Sequence, residues 1–202
     1  NVLDYDDVMN QQRNVIYGQR REVLDGVDIS AKIHGMMAEC IRTGMQACRD
    51  EEGNFHMEDA KVELAWISRP DDFTMDEKTL ESTFIARAEA VYEQQEKLFG
   101  DNMRELERVA LLRAVDTNWI NHLDAMDDLR DGVGLNAYAQ RNPLTEYRIQ
   151  AGNMFDDMIE KIRLDTVRMT LFAKPMQEIR RTEVISKQRS AELAGVGGEK
   201  TT

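Results

Sequence analysis

Three prolines, two cysteines and three histidines are all that the 202 residues contain of those types, and aromatics make up 6%. So little proline leaves long stretches free to be helical. Cys40 and Cys48 stand eight apart, which fits no common zinc spacing, and they read as reduced, partly buried thiols. His34, His56 and His122 form no Glu-x-x-His or His-x-x-x-His pair, which argues against a di-iron bundle or zincin site. No G-x-x-x-x-G-K-[ST] loop is present to cradle ATP phosphates. Serine and cysteine occur without a nucleophile context, so no catalytic constellation and no cofactor are expected within this chain. No apolar run approaches the ~18 residues a membrane span needs. The first residues, NVLDYDDVMNQQR, are acidic and polar and do not read as a signal peptide. Helical pattern is already under way at Asn1, from which we expect a fragment of a longer protein.

Excess basic charge is also lacking. The formal net charge is -12, with 11 Lys+Arg against 21 Asp+Glu over residues 1–100 and 9 against 13 over 101–172. Residues 173–202 reverse the balance, at 6 against 4. Nucleic-acid binding usually needs a basic face, so it is not expected. Hydrophobic residues at 42% and charged residues at 32% are too apolar and too patterned for wholesale disorder.

What is present is helical periodicity. Tyr5, Val8, Met9, Ile16 and Val23 recur at helix spacing until Gly26. Asp28 is placed to cap a second helix through Ile33, Met36, Met37, Cys40 and Ile41. After the loop RDEEGNF, a short helix is predicted over about 58–67 and ended near Pro70. Thr74 and Glu77 offer a capping box for a helix carrying Leu80, Phe84, Ala88, Val91, Tyr92 and Leu98, with a pause at Gly100. No segment alternates like a strand.

The strongest pattern follows. Leu112, Val115, Trp119, His122, Met126, Leu129 and Val133 alternate steps of three and four, a heptad seam that Asp131-Gly132 is expected to stop. Asn142-Pro143 opens a return helix whose apolar face runs through Ala151, Met154, Phe155, Met158, Ile159, Ile162 and Met169. Two such helices joined by a short connection pack antiparallel. After Phe172 the pattern thins into what reads as a mobile tail.

Several residues carry two readings each. His122 on the seam is a buried, partnered imidazole or a pH-sensitive contact. Trp119 is a core anchor or a platform for a ligand. The carboxylates of DAMDDLRD read as solvated helix surface, with Asp127 and Arg130 one turn apart. Tyr138, flanked by alanines in the loop of about 131–142, either folds back over the hairpin end or is an amphipathic contact at the tip. Arg141 beside it offers a fork of donors to carbonyl groups.

The stretches LDYDDVMNQQRNVIY and NWINHLDAMDDLRDGVGLNAYAQRNPLTEY through MFDDMIEKI resemble SecA, the motor family of bacterial protein export, over roughly residues 1–25 and 103–172. The resemblance implies an all-α piece with a long scaffold helix (residues 1–27), a small helical wing (28–100), an antiparallel two-helix finger (101–172) and a C-terminal tail (173–202). It implies an ATP-driven translocase moving preproteins through the SecYEG channel from the cytoplasmic face of the bacterial plasma membrane. ATP and Mg would belong to motor lobes preceding this chain, which itself carries neither nucleotide lobe nor zinc tail. The implied partners are unfolded preprotein, SecYEG and the motor lobes. Tyr138 matches the family's tip tyrosine, and Arg130 and Arg141 are candidate channel contacts. The rival reading is an acidic helical adaptor with no transport role.

Overall fold

A computed structural model describes residues 2–135 and 142–176. The described residues are all-α, in the order α1 (Val2–Leu24), α2 (Ser30–Ala47), α3 (Met57–Glu63), α4 (Glu77–Phe99), α5 (Met103–Leu135) and α6 (Pro143–Phe172). An isolated antiparallel bridge between Arg49 and Phe55 closes the turn after α2.

The expected antiparallel pair is α5 and α6. Asn118 bonds Asp165, His122 faces Phe155, and Met126 and Val133 share a cluster with Ala151 and Tyr147, so the two chains run in opposite directions. Within the heptad seam Val115, Trp119, His122, Met126 and Val133 are buried, while Leu112 and Leu129 pack at its border. The long α1 lies against both legs. Its Arg20 meets Asp116 at 2.9 Å and its Gln12 meets His122 at 2.7 Å, which sets α1 antiparallel to α5. Ile16 and Val23 of α1 are buried in the same core.

Helices α2, α3 and α4 form a smaller unit at the end where α5 begins and α6 stops. Gly26, at φ +78°, turns the chain out of α1, a backbone state that a side chain disfavours. Gly44 lets the end of α3 approach α2 closely, since a Cβ there would lie 2.6 Å from a Leu64 methyl. Asp72 is buried and takes a two-pronged bond from Arg87 at 2.6 and 2.7 Å, which ties the turn after α3 to α4. Gln95 of α4 donates to the carbonyls of Thr170 at 2.9 Å and Ala173 at 3.0 Å. The last carbonyls of a helix lack intrahelical partners, so this amide both caps α6 and docks the smaller unit on it.

Four local expectations are corrected. Gly132 does not stop α5, which continues to Leu135. A glycine inside a helix costs about 1 kcal/mol relative to alanine, and burial of Val133 next to it offsets that. The cap of α4 is Asp76, whose carboxylate accepts from the Thr79 amide at 3.1 Å and hydroxyl at 2.6 Å. Thr74 instead closes the 3-10 turn Pro70–Thr74, bonding the Asp71 carbonyl. The third helix is shorter than expected, ending at Glu63 with a turn to follow. Asp28 does not cap α2, whose cap position is Ile29; from the position before it, the Asp28 carboxylate accepts from the Ser30 amide at 2.8 Å.

A buried carboxylate joins the smaller unit to α5. Glu107 is 0% exposed and accepts from the Tyr92 hydroxyl and from Arg104 at 3.0 Å. Burial raises its carboxyl above the ordinary 4.5, outweighing those two donors. The folded state therefore keeps a proton that the unfolded chain has released, and the stability this gives is full below 4.5 and lost as pH rises through the folded value. Glu107→Gln cannot ionise, so wild type should lose stability relative to that variant as pH rises above 4.5 through the raised folded value. Urea titrations of both proteins across the range measure it, and parallel pH profiles would contradict it.

Trp119, at 7% exposure, packs in the core beside Ile16 of α1. Trp119→Ala should cost about 3–5 kcal/mol, the range for truncating a large core side chain. A denaturant midpoint shift equivalent to under about 1 kcal/mol would place the ring outside the load of the seam.

Candidate functional site

The far end of the hairpin is built from the last turns of α5, the first turns of α6 and the start of α1. The Asn142 side chain accepts from the Leu144 amide at 3.0 Å, and Pro143 takes the first helical position, as the Asn-Pro pair leads one to expect. Below it lies a second small core, separate from the main one. Met126 and Val133 of α5 meet Tyr147 and Ala151 of α6, with Tyr5, Val8 and Met9 of α1 and Leu129 and Met154 packed around them.

Tyr147 is 1% exposed, and the Tyr5 ring stands edge-on to it at 4.6 Å and 70°. Edge-to-face pairs add about 0.5–1.5 kcal/mol beyond area burial. Burial pushes the Tyr147 phenol up, with Arg130 nearby opposing the shift. The hairpin is thus clamped by α1 almost to the ends of α5 and α6.

Of the three residues singled out for contact, Arg130 lies on the exposed side of α5. Its guanidinium reaches Asp127 at 3.4 Å, one turn back, the pairing that the spacing suggested. An exposed pair of this kind is weak, so the fork stays free to exchange partners. Tyr138 and Arg141 lie outside the described residues. So does the tail beyond Met176.

Both cysteines are free and buried. Cys48 donates to the Gly44 carbonyl at 3.1 Å, and burial pushes the Cys40 thiol up to about 12, far from a reactive thiolate. Among the described residues, no three His, Cys, Asp or Glu side chains are grouped to hold a metal, and no helix is long and apolar enough to cross a membrane.

Two features escaped sequence reasoning. One is the Tyr5–Tyr147 pair; both rings sit on apolar stripes, but nothing in either stripe says that they meet. The other is Gln12, a polar residue in the register of the α1 stripe, bonded to both hairpin legs. The gap it leaves between Met9 and Ile16 was the available signal. The Trp119 and Phe155 rings flank its partner His122, at 5.7 and 6.0 Å.

A helical scaffold that braces a projecting two-helix hairpin, with a small helical unit docked at the opposite end, is the class of protein that this arrangement defines. A family profile described as the SecA wing and scaffold domain matches residues 1–174, and the chain belongs to that family. Among its relatives is protein translocase subunit SecA of Clostridium perfringens, 38% identical over 209 aligned positions that cover 96% of this chain and 24% of the relative. Proteins of the same description from Syntrophomonas wolfei and Finegoldia magna are 40% and 39% identical, covering 88% and 98% of this chain and 23% and 22% of their own. The chain therefore spans about a quarter of the length of these curated relatives.

His122 supplies a test of the hairpin. It is 5% exposed, and burial holds its imidazole below the ordinary 6.5. A depressed imidazole is neutral in the fold but charges in the unfolded chain, so its contribution is intact above pH 6.5 and lost as pH falls through the folded value. His122→Gln should flatten the loss of stability as pH falls below 6.5. Thermal melts of both proteins over that range decide, and an unchanged slope would mean that His122 titrates normally.

Proposed function

We propose that this chain is the scaffold, wing and finger portion of an ATP-driven, SecA-type translocase that moves unfolded preproteins through the SecYEG channel. In this reading residues 1–27 are the scaffold helix, 28–100 the wing, 101–172 the finger and 173–202 a tail. ATP and Mg are used by motor lobes elsewhere in the parent, and this portion performs no chemistry. The parent works at the cytoplasmic face of the bacterial membrane, as a peripheral protein.

The observation that carries the reading is the family match over residues 1–174, joined to a hairpin that α1 braces nearly to its end. A lever has to resist bending where it is loaded, and packing along both legs supplies that stiffness. Along the groove between α1 and α5, Tyr17 and Leu24 of α1 and Ile120 of α5 are exposed, an apolar surface suited to the motor lobes. The tip would engage polypeptide through Tyr138, with Arg141 and Arg130 as contacts to channel or chain. An aromatic face and guanidinium forks suit such work, because every peptide offers apolar surface and carbonyls.

Tyr138→Ala in the intact parent should leave folding and basal ATPase activity near wild type and lower preprotein transport sharply. Tyr138→Phe should keep most transport if the ring face does the gripping, and lose it if the hydroxyl bond matters more. Transport into membrane vesicles is the measurement. Wild-type transport by the alanine variant would return this loop to an ordinary helix connection. Salt-sensitive binding centred on acidic residues 1–100 would favour an adaptor instead.

A further inference from the structure

The face that α1 turns to the hairpin holds Tyr5, Val8, Met9, Ile16 and Val23, and in the middle of it Gln12, 7% exposed. A primary amide in such a stripe is destabilising unless its polar ends are bonded. Both ends of Gln12 are. Its Nε2 donates to the Ala151 carbonyl of α6 at 3.0 Å, and its Oε1 lies 2.7 Å from Nε2 of His122 on α5. A carbonyl only accepts, so the amide nitrogen must face Ala151 and the oxygen must face the imidazole. His122 therefore carries its proton on Nε2.

One side chain thus links α1 to both legs of the hairpin. The surrounding apolar contacts lack direction, and an apolar interface tolerates small axial slips. A buried polar side chain with two fixed partners has one register, because any slip strands a donor or an acceptor. The link sits between the two hydrophobic clusters, just below the braced far end.

We infer that Gln12 is a register pin: a positioning residue that makes α1 and the hairpin move as one body, so that displacement of the scaffold helix reaches the tip without shear. Its purpose rests on the lever reading above; its mechanical part does not. Arg20–Asp116 reinforces α1 against α5 nearer the base, but both side chains there are half exposed, and the pair is correspondingly weak.

Gln12→Met keeps length and helix propensity and removes both bonds. Spin labels on cysteines introduced at Val15 and Ile149, which are exposed on α1 and α6, report the separation of the two helices. The native cysteines are buried and leave the labelling to the introduced ones. Wild type should give one narrow distance distribution, and Gln12→Met a broadened or split one with helicity unchanged. His122→Gln retains an N–H donor toward Gln12 and should stay narrow, whereas His122→Leu should broaden. Nitrogen chemical shifts of the His122 ring should report the Nε2–H form in wild type and lose that signature in Gln12→Met.

In the intact parent, Gln12→Met should keep its ATPase activity while transport falls about tenfold, since small misplacements of a working group have effects of that order or larger. An unchanged distance distribution in Gln12→Met overturns the pin whatever transport does. A broadened distribution with wild-type transport overturns its role in coupling. If Tyr138→Ala is also fully active, the lever reading itself has failed.

Discussion

Between Val115 and Val133 the apolar edge of α5 is closed by α6, from Ile162 and Met158 up to Ala151 and Tyr147, and the other helices depend on that seam. A single amphipathic helix of this length gains little by itself in water, because most helical stability in proteins comes from burying one face. Once α5 and α6 cover each other, their shared groove offers α1 an apolar track. The end of α6 offers carbonyls to Gln95, and through them a seat for α2–α4. Remove the seam and neither the brace nor the seat has anything to rest on.

Polar groups then set registers that apolar packing leaves loose. Gln12 fixes α1 against the hairpin, Asp72 with Arg87 fixes the turn after α3 against α4, and Glu107 with Tyr92 and Arg104 fixes α4 against α5. Each is a buried or half-buried group that is costly to break, because a severed partner stays out of water. Such links add little stability over apolar substitutes, so their use here is best understood as selecting one arrangement among several. In a protein read as a lever, that selection has a mechanical meaning: stress applied to one helix is carried by its neighbours rather than dissipated in slippage.

Much of the fold was legible because it is written in local periodicity. The steps of three and four from Leu112 to Val133, the matching face from Ala151 to Met169, and the Asn-Pro start between them lead to an antiparallel hairpin without any tertiary information. Where reading went astray, two local signals competed. Gly132 has a poor helix propensity, yet Val133 beside it is buried, and burial prevailed. Thr74 and Asp76 both suit an N-cap, and only the path of the turn after Pro70 chose between them. For the candidate site the legible part was the Asp127–Arg130 spacing, since neighbours on one helix face are fixed by helix geometry.

The sequence by itself determined the helices, the partner faces of the hairpin, the absence of a phosphate loop and the resemblance that points to transport. Tertiary structure decided what meets what across distance: Tyr5 on Tyr147, Gln12 between His122 and Ala151, Gln95 on the end of α6. The physical reason is that periodicity marks which face of a helix is buried but not the axial register or the neighbour that buries it. Those follow only when several faces close together, and a polar residue such as Gln12 reveals its role only once the partners for both ends of its amide are in place.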